Sequence, residues 1–221
     1  MKYKAIVFSI NYLANLGVKT AGYMSRTIDS LVRDLYNGEI DEGEFSDSMA
    51  SLIENQFRRA FNEGMRNNGL DPEKDITAEF EAEYQRLVTE QYEYIERFAK
   101  DIVAGKESGQ TKDQFMARAD LWSNQYESVV NEAKMITADN KEKFEWVMGA
   151  TEEHCETCAA LNGIIAWAEE WDTAGFHPRK PPNDLLECGG WRCDCKLEPT
   201  DKRRTSDALG TLLDIASSSN A

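Results

Sequence analysis

The chain has 221 residues, a formal net charge of −15 and a hydrophobic fraction of 41%. That fraction is sufficient for a buried core, which excludes a wholly disordered chain, and the length allows one large domain or two small ones. Because so acidic a chain is repelled by phosphate backbones, generic nucleic-acid binding is disfavoured and a partner with a basic surface is favoured. No apolar run approaches the ~20 residues of a membrane helix, so we expect no membrane-spanning segment.

Residues 20–140 are predicted to be helical, because apolar side chains recur every three or four positions in four long segments. Capping boxes at Asp41 with Glu44 and at Thr111 with Gln114 mark the starts of the second and fourth helices. The four apolar stripes are Met24, Ile28, Leu31, Val32 and Leu35; Phe45, Met49, Leu52, Ile53, Phe57, Ala60 and Phe61; Phe80, Tyr84, Leu87, Val88, Ile95, Phe98 and Ile102; and Phe115, Ala119, Trp122, Tyr126, Val129, Val130, Ala133 and Ile136.

The third helix is expected to begin at Asp71, because an aspartate followed by Pro72 is typical of an N-cap and the first helical position. Long helices with one apolar face bury that face against each other. We therefore expect the four helices to form an elongated bundle, and we interpret their aromatic stripes as core without assigning a cofactor to them.

The composition changes near Lys141, since four of the five tryptophans and four of the five prolines lie beyond it. We expect short strands at 144–148, 164–167 and 192–198, a short helix at 151–162, and a proline-rich loop at 176–184. The fold class is thus mainly α: an elongated N-terminal helical bundle (residues 1–140), a small α+β cysteine-rich module (141–204) and a C-terminal tail (205–221).

All five cysteines lie in this last third of the chain. Cys155 and Cys158 form a C-x2-C motif. After 29 intervening residues, Cys188, Cys193 and Cys195 form a C-x4-C-x-C motif. Two thiolates three residues apart on a tight turn can bind one metal ion, and a second pair completes a tetrahedron. An odd, clustered set of cysteines also fits reduced thiols better than a disulfide framework. The spacing therefore predicts a structural zinc ion that stabilises the module.

Five cysteines for four positions leave the ligand set open. Cys155 and Cys158 form the first pair, and two of the other three cysteines complete the site. The last two cysteines alternate along a predicted strand, so both can point to the metal. Nitrogen ligands are the alternative, at His154 or His177.

Other interpretations of the cysteines remain. They can be buried thiols that behave as small apolar residues, or Cys155 and Cys158 can be a redox pair. A zinc deaminase carries H-x-E followed by P-C-x-x-C, but here His154 directly precedes a cysteine and no proline precedes the C-x2-C. We find no catalytic constellation and expect that the chain is not an enzyme. The alternative is a small metal- or thiol-dependent enzyme of the deaminase, nuclease or redox type.

Two runs of sequence resemble a known family. The run from Trp146 to Gly163 (WVMGATEEHCETCAALNG) and the run from Cys193 to Pro199 (CDCKLEP) resemble the C-terminal region of tailed-phage head morphogenesis proteins, the phage Mu F-like minor head protein group. A weaker similarity in the helices involves LYNGEI at 35–40, Phe45, AFNEG at 60–64 and Gly69. The resemblance covers roughly residues 25–200. Many family members carry a histidine-proline pair just before the C-x-C, whereas Cys188-Gly-Gly stands near that place here, which leaves the third ligand open.

The resemblance implies a minor head component near the portal that acts in capsid assembly or DNA packaging. Such a protein would be found in the virion and, during assembly, in the host cytoplasm. Its partners would be phage portal or capsid proteins, with self-association as a homo-oligomer left open, and it would not read a nucleic-acid sequence directly. The resemblance implies no catalytic residue.

Overall fold

The computed structural model describes residues 21–139, 141–150, 154–180, 182–190 and 193–219. The chain divides into two compact units. The first contains the described residues up to Glu63 together with Pro72–Val129, and the second contains Gly64–Asp71 and the described residues from Val130 onwards. Residues 1–20 of the predicted helical domain and residues 151–153 of the predicted short helix lie outside the described residues.

Four long helices make up the described portion of the N-terminal part, which confirms the prediction of a mainly helical bundle. Their apolar stripes are buried almost throughout, although Phe80, Trp122 and Ile136 remain partly exposed. Periodic apolar residues therefore locate both the helices and their inner faces. The helices are α1 (Ala21–Asn37), α2 (Glu42–Asn67), α3 (Ala78–Glu107) and α4 (Lys112–Thr137).

Side-chain caps set the helix starts. The N–H of Glu44 donates to Asp41 Oδ1 at 2.8 Å and Glu44 Oε2 accepts from the N–H of Asp41 at 3.1 Å, so this capping box is confirmed. The expected start of the third helix at Asp71 is wrong. The chain turns after Pro72, and α3 begins at Ala78 because the Thr77 hydroxyl accepts from the N–H of Phe80 at 3.1 Å.

The core of the first unit is rich in aromatic side chains. The ring centroid of Phe98 lies 6.1 Å from that of Phe45, 6.4 Å from that of Phe115 and 5.1 Å from that of Trp122. Each fully buried large apolar side chain contributes about 1.5–3 kcal/mol relative to exposure, so a stripe of several such residues suffices to pack a helix.

The second unit contains a small antiparallel sheet with strand order β2-β1-β3. Phe144 lies opposite Ala166 on one side and Pro199 on the other, and Trp146 lies opposite Leu197. The α+β character expected for the cysteine-rich region is confirmed. Its elements are β1 (Lys143–Val147), α5 (Glu156–Leu161), β2 (Ile165–Trp167), α6 (Ala168–Ala174), β3 (Lys196–Pro199) and α7 (Ala208–Ser219).

Two elements of this unit differ from the sequence expectations. Helix α6 was not predicted, and it places the fully buried Trp171 so that its indole N–H donates to the carbonyl of Phe144 at 3.1 Å. The segment predicted as a C-terminal tail contains α7, whose Ala208 and Leu212 are fully buried in the same core as Trp146 and Trp171. Helix α7 therefore contributes side chains to the core of this unit. No helix among the described residues is both long enough and apolar enough to cross a bilayer.

Candidate metal centre

The five cysteines are free thiols that lie in or against the core of the second unit. Cys158 and Cys195 are buried and the other three are half-buried. The sulfurs of Cys155, Cys158 and Cys188 lie within 4.8 Å of one another, and so do those of Cys158, Cys193 and Cys195. Cys158 thus belongs to both groups, and the two motifs that are distant in sequence meet at its sulfur.

The spacing of these sulfurs suits a metal ion. The sulfurs of Cys158 and Cys193 are 3.8 Å apart. Zn–S bonds of about 2.3 Å place the sulfurs of a tetrahedral site about 3.8 Å apart. The cluster can therefore hold a metal ion such as zinc with little movement of this pair.

The C-x2-C motif is built into the start of α5. Cys155 is the N-cap residue, and its sulfur accepts from the N–H of Cys158 at 3.4 Å. The motif thus presents one sulfur before the helix and the other in its first turn.

Two consecutive glycines shape the turn that carries Cys188. Gly189 and Gly190 have φ angles of 62° and 78°, a left-handed conformation that side chains with a Cβ rarely adopt. Burial raises the pKa of Cys188, and a hydrogen bond from the N–H of Gly190 acts in the opposite direction. The glycines therefore let the backbone wrap closely enough for its amide to reach the sulfur.

Hydrogen bonds among the thiols shift the pKa values of individual cysteines in different directions. Hydrogen bonds from Cys158 and Cys193 lower the pKa of Cys195, whereas the hydrogen bonds with Cys193 and Cys195 raise the pKa of Cys158. These hydrogen bonds therefore favour the charged form of Cys195 and the neutral form of Cys158. Because metal binding requires thiolates, binding a dication here would release the remaining protons to solvent.

The buried indole of Trp146 also points to a thiolate. Trp146 is fully buried, and its Nε1 has no hydrogen-bond partner at ordinary distance in the part of the chain that the structure describes. The same indole contributes to the lowered pKa of Cys195. A buried N–H donor beside a sulfur is satisfied best when that sulfur is negatively charged, which agrees with the donor set of a thiolate metal site.

The two histidines have different surroundings. His154 Nδ1 lies 4.0 Å from the sulfur of Cys195, and His154, Asp194 and Cys195 form a third group with metal-ligand spacing. His177 belongs to none of the groups found among the described residues. Its Nδ1 lies 3.3 Å from Glu132 Oε2 and its Nε2 lies 3.7 Å from Asp172 Oδ1. Of the two proposed nitrogen ligands, only His154 is beside the cysteines.

Sequence reasoning missed Arg179. Its Nε donates to the carbonyl of Cys195 at 3.1 Å and its Nη2 to the carbonyl of Asp194 at 2.6 Å. An isolated arginine in a proline-rich loop belongs to no periodic pattern or ligand motif. The sequence therefore contains no signal that Arg179 contacts the backbone of the cysteine motif.

A groove of about 600 Å³ lies beside α5 and α7 in the same unit. Carboxylates of Glu156, Glu187 and Asp214 line it together with Ala160, Ile215, Thr157 and Thr211. The surface next to the cysteine motif is therefore acidic, like the chain as a whole.

Comparisons with known proteins identify no relative of this chain: no family model, no curated protein and no solved structure matches it.

Proposed function

We propose that this chain is a head morphogenesis protein of a tailed phage, acting in capsid assembly or DNA packaging near the portal. The observation that carries the proposal is the resemblance at 146–163 and 193–199. Support comes from the arrangement of these runs, since the tryptophan strand, the C-x2-C and the C-x-C lie in one small unit and the cysteine sulfurs meet. The strand that contains Trp146 and the cysteine motifs thus belong to the same folded unit.

The proposal includes a structural zinc ion bound by Cys155, Cys158 and two of the remaining cysteines. A site made only of thiolates is closed, and closed four-coordinate sites stabilise folds, whereas catalytic zinc keeps an open position. Zinc would supply cross-links between α5, the glycine turn and the chain before β3. The small core around Trp146 and Trp171 is consistent with a need for such cross-links.

The protein acts by binding a partner and has no turnover of its own in this proposal. The competing function, a small metal- or thiol-dependent enzyme, needs an open metal position or an accessible thiolate. Cys195, the thiol with the lowered pKa, is 0% exposed, which favours a structural role for it.

Charge indicates the kind of partner. The net charge of −15 and the carboxylates of the groove attract a basic protein surface and repel DNA phosphates. A portal or capsid protein with a basic face is the partner that fits. Such association weakens as ionic strength rises past about 0.15 M, because salt screens charges that are exposed to solvent.

The test combines purification and genetics. We expect this protein to co-purify with the portal or capsid protein encoded beside it, and we expect cells that lack its gene to produce few DNA-filled heads. The Cys155→Ser variant should lose both zinc and the complementing activity. Normal infectious particles without the gene would reject the assembly role, and a zinc-dependent deaminase or nuclease activity of the purified chain would favour the enzyme.

A further inference from the structure

A short segment of the proline-rich loop makes polar contacts in two directions. Residues 177–180, here called the strap, read His-Pro-Arg-Lys. His177 and Lys180 contact the buried carboxylate of Glu132 on α4, whereas Arg179, between them, bonds to the backbone of Asp194 and Cys195. The strap therefore joins one buried acidic group to the last of the cysteine motifs.

Glu132 makes a firm attachment point for the strap. Its side chain is 7% exposed, and it has two basic partners, with His177 Nδ1 at 3.3 Å and Lys180 Nζ in hydrogen-bond contact. A buried carboxylate with two basic partners is costly to leave unpaired. The positions on either side of Arg179 are thus held in place.

The backbone of Arg179 is itself constrained. Its φ angle is 60°, in the left-handed region that residues with a Cβ seldom occupy. Such a conformation persists only where surrounding contacts require it. Here the contacts are those of the strap, and the result is a guanidinium directed at two consecutive carbonyls.

The carbonyls of Asp194 and Cys195 belong to a segment that lies outside the hydrogen-bonded sheet. The pairing of β3 with β1 begins at Lys196, opposite Val147, so Asp194 and Cys195 precede the ladder. Cys193 and Cys195 nevertheless have to present their sulfurs to Cys158. A planar guanidinium with several fixed donors can hold two adjacent carbonyls at once, which an ammonium group does less well.

We infer that Arg179 is a positioning residue for the metal centre. The contacts of His177 and Lys180 with Glu132 hold the strap in place. Arg179 in turn fixes the backbone of Asp194 and Cys195, so that the sulfurs of the C-x-C motif face Cys158 before a metal ion binds. The inference rests on the proposed metal site, but its geometric part concerns the protein without metal as well.

The first experiment measures zinc affinity of the full chain by competition with a chromophoric chelator. Residues that orient metal ligands typically change affinity about 10–100-fold when removed, and we expect a loss in this range for Arg179→Ala. Arg179→Lys should recover only part of it, because one ammonium group replaces two directed donors. Arg204→Ala is the matched control: Arg204 bonds to the side chain of Glu170 on α6 of the same unit, and its loss should leave zinc affinity unchanged.

Cobalt provides a readout that a general loss of stability would not imitate. With Co²⁺ bound at saturation, Arg179→Ala should shift the thiolate charge-transfer and d–d bands relative to the parent chain, whereas Arg204→Ala should not. Unchanged zinc affinity together with unchanged cobalt spectra in Arg179→Ala would overturn the inference.

The second experiment needs no metal. In metal-free protein, mass spectrometry follows iodoacetamide modification at each cysteine, with Cys155 as the internal reference. Arg179→Ala should accelerate modification of Cys193 and Cys195 several-fold relative to Cys155, and equal acceleration in Arg204→Ala would contradict the inference. If the parent chain binds no zinc but this acceleration is observed, the metal proposal fails while the positioning role of Arg179 stands.

Glu132 tests the other end of the strap. Glu132→Gln should weaken zinc binding less than Arg179→Ala, since it acts only through the strap. The double variant should lose less than the product of the two single effects, because both changes release the same segment. A full product would mean that the two residues act independently and would remove Glu132 from the inference.

Discussion

The two units of this protein are stabilised by different means. The first unit relies on long helices whose buried residues include Phe45, Phe57 and Phe98, each at most 2% exposed. The second has strands of three to five residues and a small core, and its loops meet through five sulfurs and a few buried polar groups. One unit is thus specified by local periodicity and the other by contacts between distant residues.

Removal of the metal should have the largest effect and should be confined to the second unit. Structural zinc contributes on the order of 10 kcal/mol in small modules, so a chelator or the Cys155→Ser change should unfold residues 144–200 and leave the first unit folded. Hydrogen exchange read by mass spectrometry would follow both units, and tryptophan fluorescence would report mainly on the second. One of the last three cysteines should be dispensable for zinc binding. Metal-free protein with unchanged fluorescence would rule out this dependence.

Truncation of a buried aromatic side chain should instead destabilise the first unit and leave the metal site intact. Phe57→Ala removes a side chain that is 1% exposed and should cost about 3–5 kcal/mol of unfolding free energy. Zinc content should remain that of the parent chain. Tyr94→Ala is the control, since Tyr94 is 40% exposed and its loss should change stability little. Urea denaturation would measure both, and equal losses would contradict the assignment of the stripe to the core.

Breaking the buried charge group should destabilise the second unit even with metal present. Glu132→Ala leaves His177 and Lys180 without their carboxylate, and removal of one partner from a buried pair costs about 3–5 kcal/mol. Glu93→Ala, at a side chain that is 78% exposed, is the matched control and should lie within about 0.5 kcal/mol of the parent. Thermal unfolding of zinc-loaded protein would decide, and similar losses in both variants would remove the special role of Glu132.

The same carboxylate predicts a pH dependence. Burial raises the pKa of Glu132, but the hydrogen bond and charge of His177 and the charge of Lys180 outweigh it and lower the pKa to about 2. Since a glutamate ionises near pH 4.3 in the unfolded chain, about as in model peptides, the folded state gains stability above that pH and loses it as the pH falls towards 2. Urea titrations between about pH 5 and pH 2 should show a shallower decline for Glu132→Gln than for the parent. Identical slopes would mean that Glu132 contributes no linkage.

The smallest effect should come from a helix cap in the first unit. Thr77→Ala removes the acceptor for the N–H of Phe80 and should cost about 1 kcal/mol, whereas Thr77→Asp should retain most of the stability. Urea midpoints would compare the three proteins. A loss in Thr77→Asp as large as that in Thr77→Ala would show that capping is not what starts α3.

Parts of this fold could be predicted because the information is local. The Asp41–Glu44 capping box, the stripe from Phe45 to Phe61 and the strand containing Trp146 each depend on residues within one or two turns or a few strand positions. The predicted start of α3 was wrong for a local reason too. Pro72 suits a turn as well as a first helical turn, and Thr77 is the better cap. The segment 208–219 shows a weak apolar stripe, and its burial depends on a core whose members lie far from it in sequence.

At the candidate site the residue types are already evident in the amino-acid sequence: five thiols with ligand spacing, two glycines that permit a left-handed turn, and a surplus of negative charge. Which of these groups contact each other follows from the tertiary structure. It placed His154 and not His177 beside the cysteines, set Glu132 against the strap, and directed Arg179 at the carbonyls of Asp194 and Cys195. It also brought α2 and α4 so close that a Cβ on Gly64 would lie 2.5 Å from that of Ala133. Spacing along a chain specifies what neighbouring residues can do together, but contacts between residues tens of positions apart depend on how all the elements pack at once.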